Sequence, residues 1–285
     1  MNLLYSKQGN ETNLNRKKRN IARISFLLGA ALIFAFLRMA LYDGLTVSSY
    51  TVKSSAVKES HTFAIITDLH STYYGENQGE LCEMIAEYSP EAVFLVGDIS
   101  EDKRDFDGTA ALLRQIASIY PCYYVTGNHE RWVDYTDDIK ALFREYGVVT
   151  VGSESIDLGD GLVLHGIDDP NFFGSYEEFF AALQKLETSD ESLDILLSHR
   201  PEFAEKYAEM GFDLTLCGHA HGGQVRLPFI MGGLYAPHQG FFPKYAGGRY
   251  DFGDYTVIVS RGLMKDDLPR VFNPPELVIV TVTHE

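Results

Sequence analysis

Five separate apolar runs in this 285-residue chain each end in residues that bind metal ions. Residues 63–67 run into Asp68-Leu69-His70, and 92–96 run into Gly97-Asp98. Residues 122–126 run into Gly127-Asn128-His129-Glu130. Residues 194–197 run into Ser198-His199, and 213–216 run into Cys217-Gly218-His219-Ala220-His221. A short apolar run bounded by turn residues reads as a buried strand, and in open α/β sheets sites form at the carboxyl ends of strands. Five such ends meeting in one crevice would enclose carboxylates, an amide and imidazoles. A fold for this chain therefore has to bring those ends together.

The spacings fit that chemistry. In extended chain, Asp68 and His70 point to the same side, so one carboxylate and one imidazole can grip one ion. His219 and His221 repeat the spacing and can add one ligand to each of two ions. Gly97, Gly127 and Gly218 stand just before the ligands, where a missing Cβ lets backbone come close. Nitrogen and oxygen ligands together favour Mn, Fe, Zn or Co over Ca, which takes oxygen only. Singly, each motif has a plainer reading. Asp-x-His is commonly a surface or capping pair, and Gly-Asp a turn. His199 could cap the helix that Pro201 opens, and His219 and His221 could be solvated loop residues. Five motifs in this order, each at an expected strand end, make chance a poor account.

Around these runs the chain alternates apolar and amphipathic segments. Helices are expected near 79–88, 109–118, 136–146, 176–186 and 201–210. Further strands are expected at 148–151 and 162–166. This β-α-β-α order predicts an α/β fold with a largely parallel, helix-covered sheet. The tail changes character: 223–227, 255–260 and 277–282 read as strands without intervening helices, so mixed sheets result.

The N-terminus is organised differently. Residues 1–20 are polar and expected to be an unstructured basic tail. Residues 24–37 are 14 uncharged residues, and with Arg38 snorkelling the apolar stretch reaches Tyr42. A membrane span needs ~20 residues. The basic cluster Arg16-Lys17-Lys18-Arg19 beside it fits a signal anchor over 21–42, with the tail cytoplasmic and the body extracytoplasmic at a cell membrane. A cleaved signal peptide is the competing reading, although no small-x-small site follows Leu37. Residues 43–61 are polar and read as a tether, and 62–285 as one catalytic domain. Residues 1–42 carry seven basic groups and one acidic, so the remainder carries −22 of the net −16. Such an acidic body repels nucleic acid, and no specific nucleic-acid partner is expected. The three cysteines, Cys82, Cys122 and Cys217, are sparse and read as small apolar fillers.

The ordered set Asp68-x-His70, Gly97-Asp98, Gly127-Asn128-His129, His199 and Gly218-His219-x-His221 resembles that of the calcineurin-like metallophosphoesterases. The resemblance covers about 62–285. The segments Gly222-Gly223-Gln224, Pro237-His238-Gln239-Gly240-Phe241-Phe242, Ser260-Arg261-Gly262-Leu263 and Leu268-Pro269-Arg270 resemble a bacterial membrane-associated phosphodiesterase subgroup. That subgroup is related to pyrophosphohydrolases acting on nucleotide-linked diacylglucosamine. The resemblance implies a four-layer α/β/β/α sandwich of two mixed sheets and two divalent transition-metal ions. It places Asp68, His70 and His221 on the first ion, Asn128, His199 and His219 on the second, and Asp98 between them. His129 would sit beside the phosphate as a catalytic acid or stabiliser. Two positions depart from relatives: Glu101 stands where many have Asp, and Met264 where the subgroup often has Gly.

The expected activity is hydrolysis of a phosphodiester, with a lipid headgroup or cell-envelope phosphodiester as substrate. A phosphomonoesterase or nucleotidase would use the same ligands. A silent, metal-stabilised binding module at the membrane is the third reading, against which the complete ligand set and His129 argue. Arg261 and Arg270 are candidates for substrate contact, with surface ion pairs as the alternative for Arg270. The aromatic, glycine-rich 228–250 stretch reads as a packed loop or as an apolar wall beside the site.

Overall fold

Successive side chains of a strand point to opposite faces of its sheet, and this sorts the strand residues into three separate cores. In β3 (Ala92–Val96) all five side chains are buried. Val93 and Leu95 join one core, while Phe94 and Val96 join another. The computed structural model describes residues 2–101, 105–132, 136–265 and 268–285. It separates into two units, Met1–Tyr42 and Asp43–Glu285.

The larger unit holds two six-stranded sheets. The first runs in the order β1 (Thr46–Lys53), β14 (Glu276–Thr283), β2 (His61–Ile66), β3, β4 (Cys122–Val125) and β5 (Val149–Thr150). The second runs β12 (Gly248–Phe252), β13 (Tyr255–Val259), β9 (Leu214–Cys217), β8 (Leu193–Leu197), β7 (Leu162–Gly166) and β6 (Glu154–Gly159). Strands β2 to β5 are mutually parallel, as are β7, β8, β9 and β13. Antiparallel pairing of β14 with β2, β6 with β7 and β12 with β13 makes both sheets mixed.

The cores give the layer order. Helices α2 (Gly79–Glu87), α3 (Asp107–Ile116) and α5 (Thr136–Glu145) bury Leu81, Leu112 and Phe143 against Ala64, Val93 and Ile279 of the first sheet. The two sheets bury Phe63, Phe94, Ile195, Leu216 and Val280 between them. Helices α6 (Tyr176–Leu183) and α7 (Ala204–Glu209) bury Phe179 and Tyr207 against Leu196 and Val259 on the far face of the second sheet. The result is four layers, α/β/β/α. Phe63 and Phe94 stack at 4.8 Å in the middle, so Phe94→Ala should cost ~3–5 kcal/mol. The cysteines are free, with Cys122 and Cys217 buried among apolar neighbours.

Three expectations about the chain's course are corrected. The stretch expected to be a tether contains β1, which pairs in parallel with β14 from Thr46↔Glu276 to Lys53↔Thr283. Its Ser and Thr residues disguised it, but Val, Thr and Tyr suit an edge strand with one half-buried face. The polar tail is helical from Asn2, because α1 (Asn2–Ala40) runs through it. Extending an already nucleated helix through Lys, Arg, Gln and Leu needs no new nucleus. Within α1, Arg16–Ala40 is long and apolar enough to cross a membrane. Finally, 223–227 is no strand. A 3-10 turn, His221–Gly223, and two isolated bridges, Val225 to Val271 and Leu227 to Met231, occupy it instead. Strands β6 and β12 are additions that the apolar pattern did not show.

Candidate metal centre

The parallel neighbours β2, β3 and β4 deliver Asp68, His70, Asp98, Asn128 and His129 from their carboxyl ends. The parallel neighbours β8 and β9 deliver His199, His219 and His221 from theirs. Asp68, His70, Asp98 and His199 are fully buried, and His219 and Asn128 nearly so. Ligand atoms of Asp68, His70 and His221 lie within 4.8 Å of one another, as do those of Asp98, His199 and His219. Asp98 also groups with His70 and His129. Its Oδ2 is 3.0 Å from His199 Nε2 and 3.8 Å from His70 Nε2. Asp68 Oδ1 is 3.7 Å from His199 Nε2 and 3.8 Å from His221 Nε2. The carboxylates and imidazoles of the expected set thus come together in one crevice, with Asp98 between its two halves, and Asn128 adjoins them through its neighbour His129.

The side chains do not converge by the pleat, as their spacing suggested. Asp68, His70, Asp98, His219 and His221 all have left-handed backbone, with φ between 47° and 66°. Left-handed non-glycine residues cost of order 1–3 kcal/mol each, and they persist where surrounding structure imposes them. The strand ends curl back rather than continue straight. Glycine permits the close approach this needs. A Cβ on Gly127 would lie 2.2 Å from Asp98 Oδ1, and one on Gly218 would lie 2.5 Å from Asp68 Oδ2. These glycines bring backbone against the carboxylates.

Amides orient both carboxylates. His219 N–H donates to Asp68 Oδ1 at 3.0 Å, and His129 N–H donates to Asp98 Oδ1 at 2.8 Å. Burial would raise the Asp98 pKa, but His199 and His70 hold it well below the usual carboxylate range. Burial would lower His199, yet Asp98 and Asp68 push it up to about 10. Burial lowers His221 to about 4, and burial with the His199 charge takes His219 well down. Burial also lowers His129, whose ring meets that of His70 edge-on at 4.5 Å.

Among the buried atoms without a hydrogen-bond partner in the described residues are Asn128 Oδ1 and His219 Nδ1. A buried acceptor without a donor is expensive, and an ion would satisfy both atoms. Two carboxylates, an amide oxygen and four imidazoles fit a pair of divalent transition ions by donor chemistry.

Several buried groups around the ligands were not singled out in the sequence. Glu130 accepts from four amides: Asp98 N at 3.0 Å, Ile99 N at 2.7 Å, Ser100 N at 3.1 Å and Gly127 N at 2.8 Å. It thereby ties the β3 and β4 loops together. Burial and the Asp98 charge push its pKa up to about 7, against those four donors. Arg200, 1% exposed, is paired with Asp169 and lies 3.0 Å from His219 Nε2 and 2.7 Å from His238 Nδ1. Glu202, His219 and His238 form a further group with ligand atoms within 4.8 Å. The available signal was a sixth strand end: β7 runs into Asp168-Asp169, and Arg200 directly follows a ligand.

Three doubtful positions are placed as well. Glu101 Oε2 is 3.4 Å from His70 Nδ1, so this longer acid stands behind a ligand. Arg261 is turned to Glu276 Oε2 at 2.6 Å and to Thr46 Oγ1 at 3.5 Å, which are partners within the first sheet. Arg270 makes no surface ion pair among the described residues. It is buried and donates to the carbonyls of Gly262 at 3.1 Å, Met264 at 3.0 Å, His221 at 3.3 Å and Arg261.

Comparison with known proteins agrees with this geometry. Residues 61–223 match the family model of the calcineurin-like phosphoesterases. An uncharacterized metallophosphoesterase of Campylobacter jejuni is 31% identical over 270 residues, covering 90% of this chain and 68% of its own. The Bacillus subtilis metallophosphoesterase YkuE is 29% identical, covering 82% and 84%. The Escherichia coli phosphodiesterase YaeI is 25% identical, covering 62% and 64%.

Proposed function

The chain belongs to the calcineurin-like phosphoesterase family, and from that premise we propose that it is a phosphodiesterase acting on a lipid headgroup or cell-envelope phosphodiester. The observation that carries the reading is the pair of buried ligand groups with Asp98 between them. A phosphodiesterase name on the E. coli relative supports the diester preference. The apolar Arg16–Ala40 helix supports a membrane-anchored body and a substrate at that membrane.

In this reading Asp68, His70 and His221 hold one ion, Asn128, His199 and His219 hold the other, and Asp98 is shared. When bound, two such ions neutralise phosphate oxygens and lower the pKa of a water to near neutrality. The chain's own groups do the rest. Burial lowers the His129 pKa and so favours its neutral ring, which in this reading donates an N–H to a phosphoryl or leaving oxygen. The Asp98 carboxylate accepts the His129 backbone N–H, which keeps His129 beside Asp98 and His70. Glu101 behind His70, and Arg200 with His238 behind His219, hold the imidazoles in place.

The test is turnover by the purified full chain on matched aryl phosphodiester and phosphomonoester substrates, with Mn, Fe, Zn or Co added in turn. Metal-dependent turnover favouring the diester is expected. Faster monoester hydrolysis would move the chain to the phosphatase reading, and bound metal without turnover on either would leave a binding module.

A further inference from the structure

Directly after the ligand His221 the surface changes character. Residues 222–250 contain no acidic residue and three basic ones, in a chain with 40 acidic residues. Two apolar turns project from this segment. Leu227 and Met231 exchange backbone hydrogen bonds at 3.0 and 2.8 Å, and between them Phe229 and Ile230 are 110% and 83% exposed. The hairpin of β10 (Tyr235–Ala236) and β11 (Gly240–Phe241) carries Phe241 and Phe242 at its end, 71% and 69% exposed.

The two turns share a root. Leu234 N–H donates to Gly223 O at 2.9 Å, and Phe242 N–H donates to Leu234 O at 2.8 Å. Gly223 and Gly233 touch so closely that a Cβ on Gly223 would lie 2.5 Å from Gly233 Cα. Phe229 and Phe242 both have left-handed backbone, φ 66° and 56°. Holding a bulky aromatic in that conformation is unfavourable, and here it displays the ring to solvent instead of packing it.

A cation stands at the foot of the first turn. Arg226 lines a cleft of about 470 Å³ together with Leu227, Phe229, Ile230, Met231 and Phe272. Its side chain flanks Gly247 together with that of Arg261. Arg261 takes the carboxylate of Glu276 at 2.6 Å, whereas Arg226 has no carboxylate within ion-pair distance among the described residues and donates only to Gly222 O at 3.3 Å. A half-buried guanidinium beside a like charge leaves room for an anion.

We propose that the 222–250 segment docks the body onto an anionic lipid bilayer, with Phe229, Ile230, Phe241 and Phe242 entering the headgroup boundary and Arg226 receiving a lipid phosphate. Lys244 and Arg249 are paired with Glu205 and Asp251, so Arg226 is the cation this segment offers, and exposed apolar tips beside such a cation suit an anionic interface. A bilayer is the occupant because the same chain carries a helix of membrane-spanning length. Docking beside His221 would present lipid headgroups to the crevice. The inference rests on the membrane-anchored reading above and names how its substrate surface is engaged.

The test uses the full chain in vesicles of phosphatidylcholine, with and without phosphatidylglycerol, made from lipids with brominated acyl chains that quench tryptophan. The single native tryptophan is removed by Trp132→Phe. Reporters are then placed singly by Phe229→Trp, Phe241→Trp and Ile119→Trp. Ile119 is the control, 69% exposed but at the opposite end of β4 from the ligands. Quenching of the Phe229→Trp and Phe241→Trp reporters should exceed that of the control by about twofold or more. Phosphatidylglycerol should deepen it, and Arg226→Gln should remove that lipid dependence. Equal quenching at all three positions would overturn docking. A phosphatidylglycerol effect that survives Arg226→Gln would overturn the headgroup site. Turnover plays no part in the readout, so lost quenching with retained hydrolysis sinks docking alone, and the reverse sinks the hydrolase reading alone.

Discussion

On the sheet that supplies Asp98 and Asn128, the ligand loops are held by a buried carboxylate. Glu130 gathers amides from both loops. On the sheet that supplies His199, His219 and His221, buried guanidiniums do the holding. Arg270 gathers carbonyls from the His221 turn and from the 261–264 loop, while Arg200 and Asp169 stand behind His219. The difference follows from which backbone groups the curled strand ends leave unpaired. Where amides point inward a carboxylate satisfies several at once, and where carbonyls point inward a five-donor guanidinium does. Neither holding residue is itself a ligand in this reading, yet each fixes where ligands stand.

The comparison can be broken at its shared element first. Asp98→Asn keeps the shape but removes the charge between the two ligand groups. Turnover should fall by about a thousandfold or more, and metal analysis should show less than a full pair of ions. Wild-type activity in that variant would end the dinuclear reading. Glu130→Ala should come next, lowering metal affinity or activity by roughly 10–100-fold because both first-sheet loops lose their common anchor. Glu130→Gln should recover part of this, since an amide oxygen still accepts. Arg270→Met probes the other half. It strands several buried carbonyls, each worth about 1–3 kcal/mol, so it should lower stability more than it lowers activity. Denaturant unfolding beside metal titration separates the two effects, and equal loss in both would erase the contrast between the halves.

The smallest expected effect lies away from the crevice. His61 bridges Glu91 Oε2 at 2.8 Å and Asp160 Oδ2 at 3.0 Å, joining the start of β2 to the β6–β7 turn. Burial lowers its pKa, but hydrogen bonds to Asp160 and Glu91 more than offset this and raise it. Its stabilisation is therefore full below the unfolded histidine pKa of ~6.5 and fades as pH rises through the higher folded value. The Tm difference between wild type and His61→Gln should shrink from pH 6 toward pH 9. A difference that grows over that range would show the bridge is not ionic.

Much of the site was readable because its chemistry is local. An apolar run of four or five residues leading into Asp, Asn or His announces both a strand and its terminus, and this held for β2, β3, β4, β8 and β9. What was misread had weak local signals. Strand β1 carries too few apolar residues to stand out, since its partner β14 lies over two hundred residues away. Glu130 and Arg200 sit beside ligands in the sequence, but nothing local reveals that they are buried. Arg270 resembled a surface cation because its carbonyl partners come from two distant loops.

Residue types and spacings alone determined that this chain has strands ending in residues able to hold metal ions, a helix of membrane-spanning length and an acidic body. Those depend on side-chain chemistry and on periods of two and 3.6, which are written along the chain. Only the tertiary structure decided that five of the candidate ligands turn left-handed, that Asp98 lies between the two groups, and that Arg226 has no carboxylate partner among the described residues. Those depend on which distant backbone and charge come within a few ångströms, and no local pattern encodes that distance.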